Sequence, residues 1–256
     1  MASIRSSGYR RTVLLVVLLL SLLGLGACGT QNIVFVYPDE ALDFQLRNLK
    51  MPTMYIDSVT DMRPAVQRTG QGHFFKITYP KDSAWEAPPT TIYAEALAQD
   101  LEQTNLVELV PFAAQADYIL SLDLLSMSCQ LKRSPATLLL SAAIGFGAGM
   151  ALGEDTSDRL KLGAVLTALT LVAVPVPTEN HAEAEVRMTL KNRDGEMLWQ
   201  KTCLGVVDEK KYLTATARED QALVDDHLTK AVKRANACLL GQMRQFMLEN
   251  ATAEGQ

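Results

Sequence analysis

Apolar residues run through this chain in distinct textures, and each texture predicts a different element. Val13–Leu23 is an unbroken apolar run behind three arginines, Arg5, Arg10 and Arg11. In HAEAEVRMTLKN (181–192) apolar and polar positions alternate. Ala182, Ala184, Val186, Met188 and Leu190 share one side, while Glu183, Glu185, Arg187, Thr189 and Lys191 share the other. Period two describes a half-buried strand. Across Glu219–Glu249 the apolar set Val224, Leu228, Ala231, Ala235, Leu239, Met243 and Phe246 keeps helical spacing, which predicts a long helix with one buried face.

The remaining segments follow from the same patterns and their punctuation. Residues 29–50 read as a tether and lead-in, with Ile33–Tyr37 either a first short strand or a spacer. TMYIDSVTDMRP (53–64) is a strand that Pro64 should stop. Residues 65–73 read as a loop, and 72–80 as a second strand. In 87–105, Pro88 and Pro89 open a helix whose face carries Tyr93, Leu97, Leu101 and Thr104, with Asn105 as its stop. Leu106–Phe112 is a strand, and Ala116-Asp117-Tyr118 opens a longer one to about Lys132. Arg193-Asp194-Gly195 carries turn chemistry between 181–192 and a returning strand at 196–205. The tail after Asn250 should be mobile. Helices with a single apolar face need a sheet to cover. The predicted fold is therefore α+β, a two-layer sandwich of a mostly antiparallel sheet covered by two helices.

One stretch breaks this texture. Residues 134–177 hold two apolar runs, Ala136–Leu152 and Leu162–Val176, around a charged connector, Glu154–Lys161. Gly145, Gly149 and Gly153 recur every four residues, a spacing that lets helix backbones approach closely. Three readings stand open. The runs form a helical hairpin that meets a membrane or self-associates, a buried hairpin, or a membrane β-hairpin. Strands of a barrel alternate apolar with polar residues, and these runs do not.

The N-terminal run has the layout of a secretory signal and is shorter than the roughly 20 residues that span a bilayer core. Its end, Leu25-Gly26-Ala27-Cys28, resembles the lipobox of bacterial lipoproteins. That resemblance implies lipid on the Cys28 sulfur, cleavage before it and acylation of the new amino end with chains such as palmitate. Gly29 stands where an aspartate would retain an enteric lipoprotein at the inner membrane, which implies the outer membrane, periplasmic face. The expected organisation is a signal peptide at 1–27, a lipidated tether at 28–50, an α+β periplasmic domain at 51–249 with its insertion at 134–177, and a tail at 250–256.

The mature pattern resembles the small periplasmic α/β domain at the N-terminus of TolB, shared by CsgG-type and YajG-type lipoproteins. The residues that carry the likeness are the strand ending in Asp61-x-Arg63, the helix at 90–104 with its following strand, and Ala116-Asp117-Tyr118. Fold likeness of this kind does not transfer function.

Charge and cysteine content narrow the partners. The formal charge of −5 becomes −8 once the three signal arginines are removed, and no basic stripe remains, so nucleic acid is not an expected partner. With Cys28 lipidated, Cys129, Cys203 and Cys238 remain, an odd number for an oxidising compartment. Either Cys203 pairs with Cys238, as a strand and its covering helix permit, or all three are buried thiols.

No arrangement of residues specifies a reaction. The cluster Gly145-Phe146-Gly147-Ala148-Gly149 lacks the third glycine of a dinucleotide fingerprint and the Lys-Ser/Thr of a phosphate loop. His181-Ala182-Glu183 lacks the P-C-x-x-C pair of a zinc deaminase. His73, His181 and His227 share no motif, and His227 reads as a helix-surface residue. Asp225 with Asp226, and Glu183 with Glu185, are ordinary polar-face acids. Asp61 and Arg63 read as a local ion pair. Trp85 and Trp199 read as packing residues, with Trp85 alternatively marking a contact surface. No catalytic residue, metal site or cofactor is expected. The preferred role is a non-catalytic, lipid-anchored accessory or scaffold of the cell envelope, in assembly or transport, with an envelope protein or a second copy as partner. The alternatives are an oligomeric CsgG-type secretion or pore component, and a periplasmic ligand binder or enzyme.

Overall fold

The computed structural model describes residues 33, 35–40, 42, 51–70, 72–73, 76–152, 155–173, 175–213 and 217–254. The fold is α+β. Among the described residues, seven strands form one sheet, and the chain divides into two compact units. One contains residues 134–177 and 212–220. The other, the sheet–helix unit, contains 32–133, 178–211 and 221–256.

The sheet–helix unit is organised around two long strands. Strand β5 (Tyr118–Arg133) pairs antiparallel with β6 (Val176–Lys191) from Ile119↔Lys191 to Arg133↔Thr178. The other edge of β5 is shared. Strand β1 (Thr53–Asp61) runs parallel along Tyr118–Leu124, and β3 (Lys76–Tyr79) runs antiparallel along Cys129–Lys132. β2 (Gly72–His73) pairs with β3, β4 (Glu108–Leu109) pairs with β1, and β7 (Met197–Leu213) pairs with β6. The turn before β7 closes with Gly195 N–H on the Asn192 carbonyl, and Gly195 adopts φ +83°, which suits glycine.

A bulge at Leu125 decides which side chains enter the core. Before it, Leu120, Leu122 and Leu124 are buried; after it, Met127, Cys129 and Leu131 are. They meet Ala182, Ala184, Val186, Met188 and Leu190 of β6, all fully buried as their alternation predicts. Two helices cover this face. In α2 (Pro89–Thr104), Tyr93, Leu97, Leu101 and Thr104 are fully buried, and Asn105 ends the helix in the left-handed conformation at φ 49°. In α5 (Ala217–Glu254), Val224, Leu228, Ala231, Ala235, Leu239 and Met243 are fully buried. Removing these side chains from water, at roughly 25 cal/mol per Å2 of apolar surface, is what holds the two layers together.

Several expectations need correction. Residues 65–69 form a short helix, α1 (Ala65–Thr69), rather than a loop. Its buried Gln67 accepts a hydrogen bond from Met127 N–H at 3.1 Å and donates to Ser126 Oγ at 2.7 Å. It thus serves the stretch of β5 edge left open between β1 and β3, where an unpaired buried N–H would be costly. The strand expected at Leu106–Phe112 contracts to Glu108–Leu109, and the 72–80 strand is two short ones. β7 continues eight residues past Gly205, and α5 reaches Glu254, so the tail expected after Asn250 is helical that far.

The lead-in, read as part of a tether, is fastened to the folded unit. Ile33 is buried and forms a β-bridge with Trp85, its N–H donating to the Ala84 carbonyl at 2.7 Å.

Candidate functional site

The insertion forms two antiparallel-connected helices, α3 (Pro135–Leu152) and α4 (Thr156–Ala173). Helices follow from the composition: alanine and leucine propagate a helix well, and Pro135 sits at its start, where a missing N–H does no harm. Ser134 N–H donates to the Pro177 carbonyl at 3.3 Å, closing the base.

The packing of this hairpin runs opposite to that of a soluble domain. Its buried seam is made of small residues, Ser141, Gly145 and Gly149, at every fourth position of α3. A Cβ on Gly149 would lie 2.3 Å from the Gly163 nitrogen, and one on Gly145 would lie 2.3 Å from Thr170 Oγ1 and 2.7 Å from the Leu166 carbonyl. These glycines are therefore consumed within the hairpin. Gly153 lies outside the described residues, as does Cys28.

The hydroxyls are consumed there as well. Ser141 Oγ donates to the Thr137 carbonyl, Thr167 Oγ1 to the Gly163 carbonyl and Thr170 Oγ1 to the Thr167 and Ser141 carbonyls. The surface left outside is apolar, with large side chains among exposed alanines. Leu139 is 67 % exposed, Ile144 61 % and Leu152 70 %, with Leu140, Phe146, Leu160 and Leu169 also exposed. Charge is confined to the connector and first turns of α4, at Asp155, Asp158, Arg159 and Lys161, where Lys161 lies 3.6 Å from Asp158. α3 is long and apolar enough to cross a membrane by length and composition. Its 18 residues measure about 27 Å, close to the ~30 Å hydrocarbon core. Because both runs are helical, the β-hairpin alternative has no strands to build on.

The polar residues of the sheet–helix unit form local pairs. On the face of the sheet away from α2 and α5, His181 Nδ1 is 2.6 Å from Asp208 Oδ1, and its Nε2 is 3.4 Å from Glu183 Oε2. The Asp208 hydrogen bond raises the imidazole pKa above its usual value, against the opposing effect of partial burial. Glu179 pairs with Lys210 at 2.7 Å in the next row, and a 660 Å3 groove runs over Gln130, Lys132, His181 and Asp208. Ser126 Oγ donates to Glu183 Oε1 at 2.5 Å. Alternating opposite charges of this kind make a solvated surface. Among the described residues, no three metal-binding side chains converge.

Asp61 and Arg63 do pair, through two hydrogen bonds of 2.9 Å, and the fully buried Arg63 side chain also reaches Asp82 at 2.8 Å. Burial pushes the Asp61 pKa up, but hydrogen bonds and charge from Arg63, with Arg68, hold it below the usual carboxylate value. Trp85 is buried, 7 % exposed, and packs as a core residue. Trp199 packs near Phe246, ring centroids 6.2 Å apart. Cys203 and Cys238 are joined in a disulfide between β7 and α5, and Cys129 is buried in the sheet outside it. Burial raises the Asp225 pKa to about 6, while Asp226 pairs with Lys230 at 2.7 Å.

Two buried polar sites escaped the sequence reading. His227 is fully buried rather than at the helix surface, and its Nε2 lies 2.7 Å from Glu209 Oε2 on β7. Its position, three after Val224 and four before Ala231, already placed it in the apolar stripe. Asp100 is fully buried within the face of α2, three residues after Leu97. It accepts hydrogen bonds from Lys233 Nζ at 2.5 Å, Asn236 Nδ2 at 2.8 Å and the Tyr37 hydroxyl, and Tyr93 donates to Asn236 Oδ1 at 2.6 Å. Every partner is satisfied, which makes this network a rigid joint.

No protein-family model matches the chain, and no curated protein matches it. Among solved structures, a DUF330-family protein from Xanthomonas campestris is similar with a TM-score of 0.46 at 12 % identity, covering 87 % of this chain and 97 % of that one. A hemagglutinin homologue from Helicobacter pylori is similar with a TM-score of 0.43 at 7 % identity, covering 87 % of this chain and 99 % of its own. Likeness at this level assigns neither family nor activity.

Proposed function

We propose that this chain is a lipid-anchored envelope protein without catalytic activity, an accessory or scaffold held at the periplasmic face of the outer membrane by acyl chains on Cys28 and by its apolar hairpin. The observation that carries the reading is the inverted packing of α3 and α4. Ser141, Gly145, Gly149, Thr167 and Thr170 are spent within the hairpin, and Leu139, Leu140, Ile144, Phe146 and Leu169 face outward among exposed alanines. A helix lying on a membrane surface would keep a polar flank. A protein partner would cover one face. An exterior that is apolar away from the connector end, with the seam's polar groups satisfied inside, suits hydrocarbon. Each outward Leu, Ile or Phe near the middle of a bilayer favours insertion by roughly 0.5 kcal/mol, and each buried acyl methylene on Cys28 contributes about 0.8 kcal/mol.

Two holds of different origin have a separable signature. Wild type, Cys28→Ala, a deletion of 135–173 and the double variant are expressed and their membranes washed with alkaline carbonate. Each single variant should stay in part with the membrane, and the double variant should be released. Radiolabelled palmitate should enter wild type and not Cys28→Ala. Equal labelling of both would remove the anchor, and full retention of the double variant would remove the reading as a whole.

A further inference from the structure

Residue 33 and residues 35–39, ahead of β1, are fastened to the sheet–helix unit. Ile33 is bridged to Trp85, and Phe35 lies between rings, its centroid 6.3 Å from Trp85 and 6.0 Å from Tyr37. Tyr37 donates to the buried Asp100, accepts from Asn236 Nδ2 at 3.0 Å, and has Lys233 Nζ 4.8 Å over its ring. Gln103 Nε2 donates to Asp39 Oδ1 at 2.6 Å. Residue 33 and residues 35–39 thus form a strap running along α2, from Trp85 before its first turn to Gln103 in its last. The strap is locked to both covering helices by a network with a cation–π contact and a buried ion pair.

This fixes how far the sheet–helix unit stands from its anchor. Ile33 lies five positions after Cys28, and five residue steps span at most about 17 Å. A leash reaching instead to Thr53, the start of β1, would extend several times farther. We propose that the strap makes the surface around Ile33, Trp85 and Glu86 the membrane-proximal side of the unit, lying against a phospholipid bilayer, and the turn at Asp194 its distal side. Asp194 lies at the other end of α2. That helix runs 16 residues, about 24 Å, to the β4–β1 pair beside Asp117, which bonds Arg193 at 3.2 Å. The inference rests on lipid at Cys28. A partner is then met on the distal side, and the strap decides which face that is.

The test uses the full acylated chain in phosphatidylethanolamine–phosphatidylglycerol vesicles carrying a headgroup-spin-labelled lipid. A fluorophore is attached through Glu86→Cys or Asp194→Cys, both exposed positions. Quenching at 86 should exceed that at 194 several-fold. Both measurements are repeated in the 135–173 deletion, where the Cys28 lipid is the remaining hold; there the difference should persist, and a Gly/Ser insertion of about twelve residues after Gly29, adding ~20 Å of reach, should erase it. Equal quenching at both positions in an acylated protein, or a difference that survives the insertion, overturns the inference alone. A mass without acyl chains overturns the anchor and the inference together.

Discussion

The hairpin and the sheet–helix unit spend the same kinds of residue in opposite ways. In the sheet–helix unit, leucine, valine and methionine fill the space between β5, β6 and the two helices, while most glutamates and lysines face outward. In the hairpin, glycine and serine fill the seam and leucine and phenylalanine face outward. The contrast separates two sources of cohesion. Apolar burial holds the first together, as water demands. The second is held by backbone contact and by hydroxyls bonded to carbonyls, which remain effective where no water competes.

The largest expected effect tests whether the two units are independent. Gly205 on β7 and Gly149 in the hairpin each admit no Cβ. A methyl at Gly205 would lie 2.0 Å from the Ala231 carbonyl, and one at Gly149 would lie 2.3 Å from the Gly163 nitrogen. Gly205→Val should abolish the cooperative urea transition of the sheet–helix unit, because β7 can no longer approach α5. Gly149→Val should leave that transition in place and separate only α3 from α4, measured as loss of proximity between labels on the two helices. A common loss of both signals would mean that the units fold as one.

The next test addresses the inversion directly. Leu122→Ala in the fully buried core should cost about 2–5 kcal/mol of unfolding free energy in a denaturant titration. The same change at Leu140, 61 % exposed, should leave that titration within about 0.5 kcal/mol while weakening vesicle binding of the Cys28→Ala protein. Unchanged binding would mean that this surface does not meet lipid. Removing the cross-link of β7 to α5 comes third. With a sequence separation of 35 between Cys203 and Cys238, the Cys203→Ser, Cys238→Ser pair should lose about 3–4 kcal/mol, seen as a lower urea midpoint matched by wild type under reductant.

The smallest effects are set by pH, and they have opposite signs. Asp61 is held below its ordinary value of about 3.9. The unfolded chain therefore binds more protons in that window, and the stabilisation is present above it and lost as pH falls through the folded value. His181 is raised above about 6.5, so its contribution is full below that pH and is lost as pH rises through the folded value. Both groups are part-exposed, and water screens them. Urea midpoints measured against pH should lose their acid slope in Asp61→Asn and their slope on the alkaline side of neutrality in His181→Gln. A wild-type slope in either variant would assign it to other groups.

Much of this architecture was legible because it is written in local periods. The alternation of 181–192, the stripe from Val224 to Met243 and the face of Tyr93, Leu97 and Leu101 each arise from the geometry of one element, and so they can be read from neighbouring residues. Pro64, Asn105 and Gly195 act on the backbone where they stand. The two apolar runs of the insertion are legible for the same reason.

What local pattern does not carry is the identity of a distant partner. The bulge at Leu125, which exchanges the two faces of β5, depends on the register of β6, and the open edge beside it is served by Gln67 from 60 residues away. Asp100 looks like a surface acid on α2 until Lys233 and Asn236 arrive from 133 and 136 residues along the chain. The spacing of His227 places it in the apolar stripe, but its partner Glu209 on β7 is visible only in the folded chain. The same holds for the glycines: their spacing announced a close backbone approach, but only the packed hairpin decided that the approach is to each other, leaving the large side chains to face whatever surrounds them.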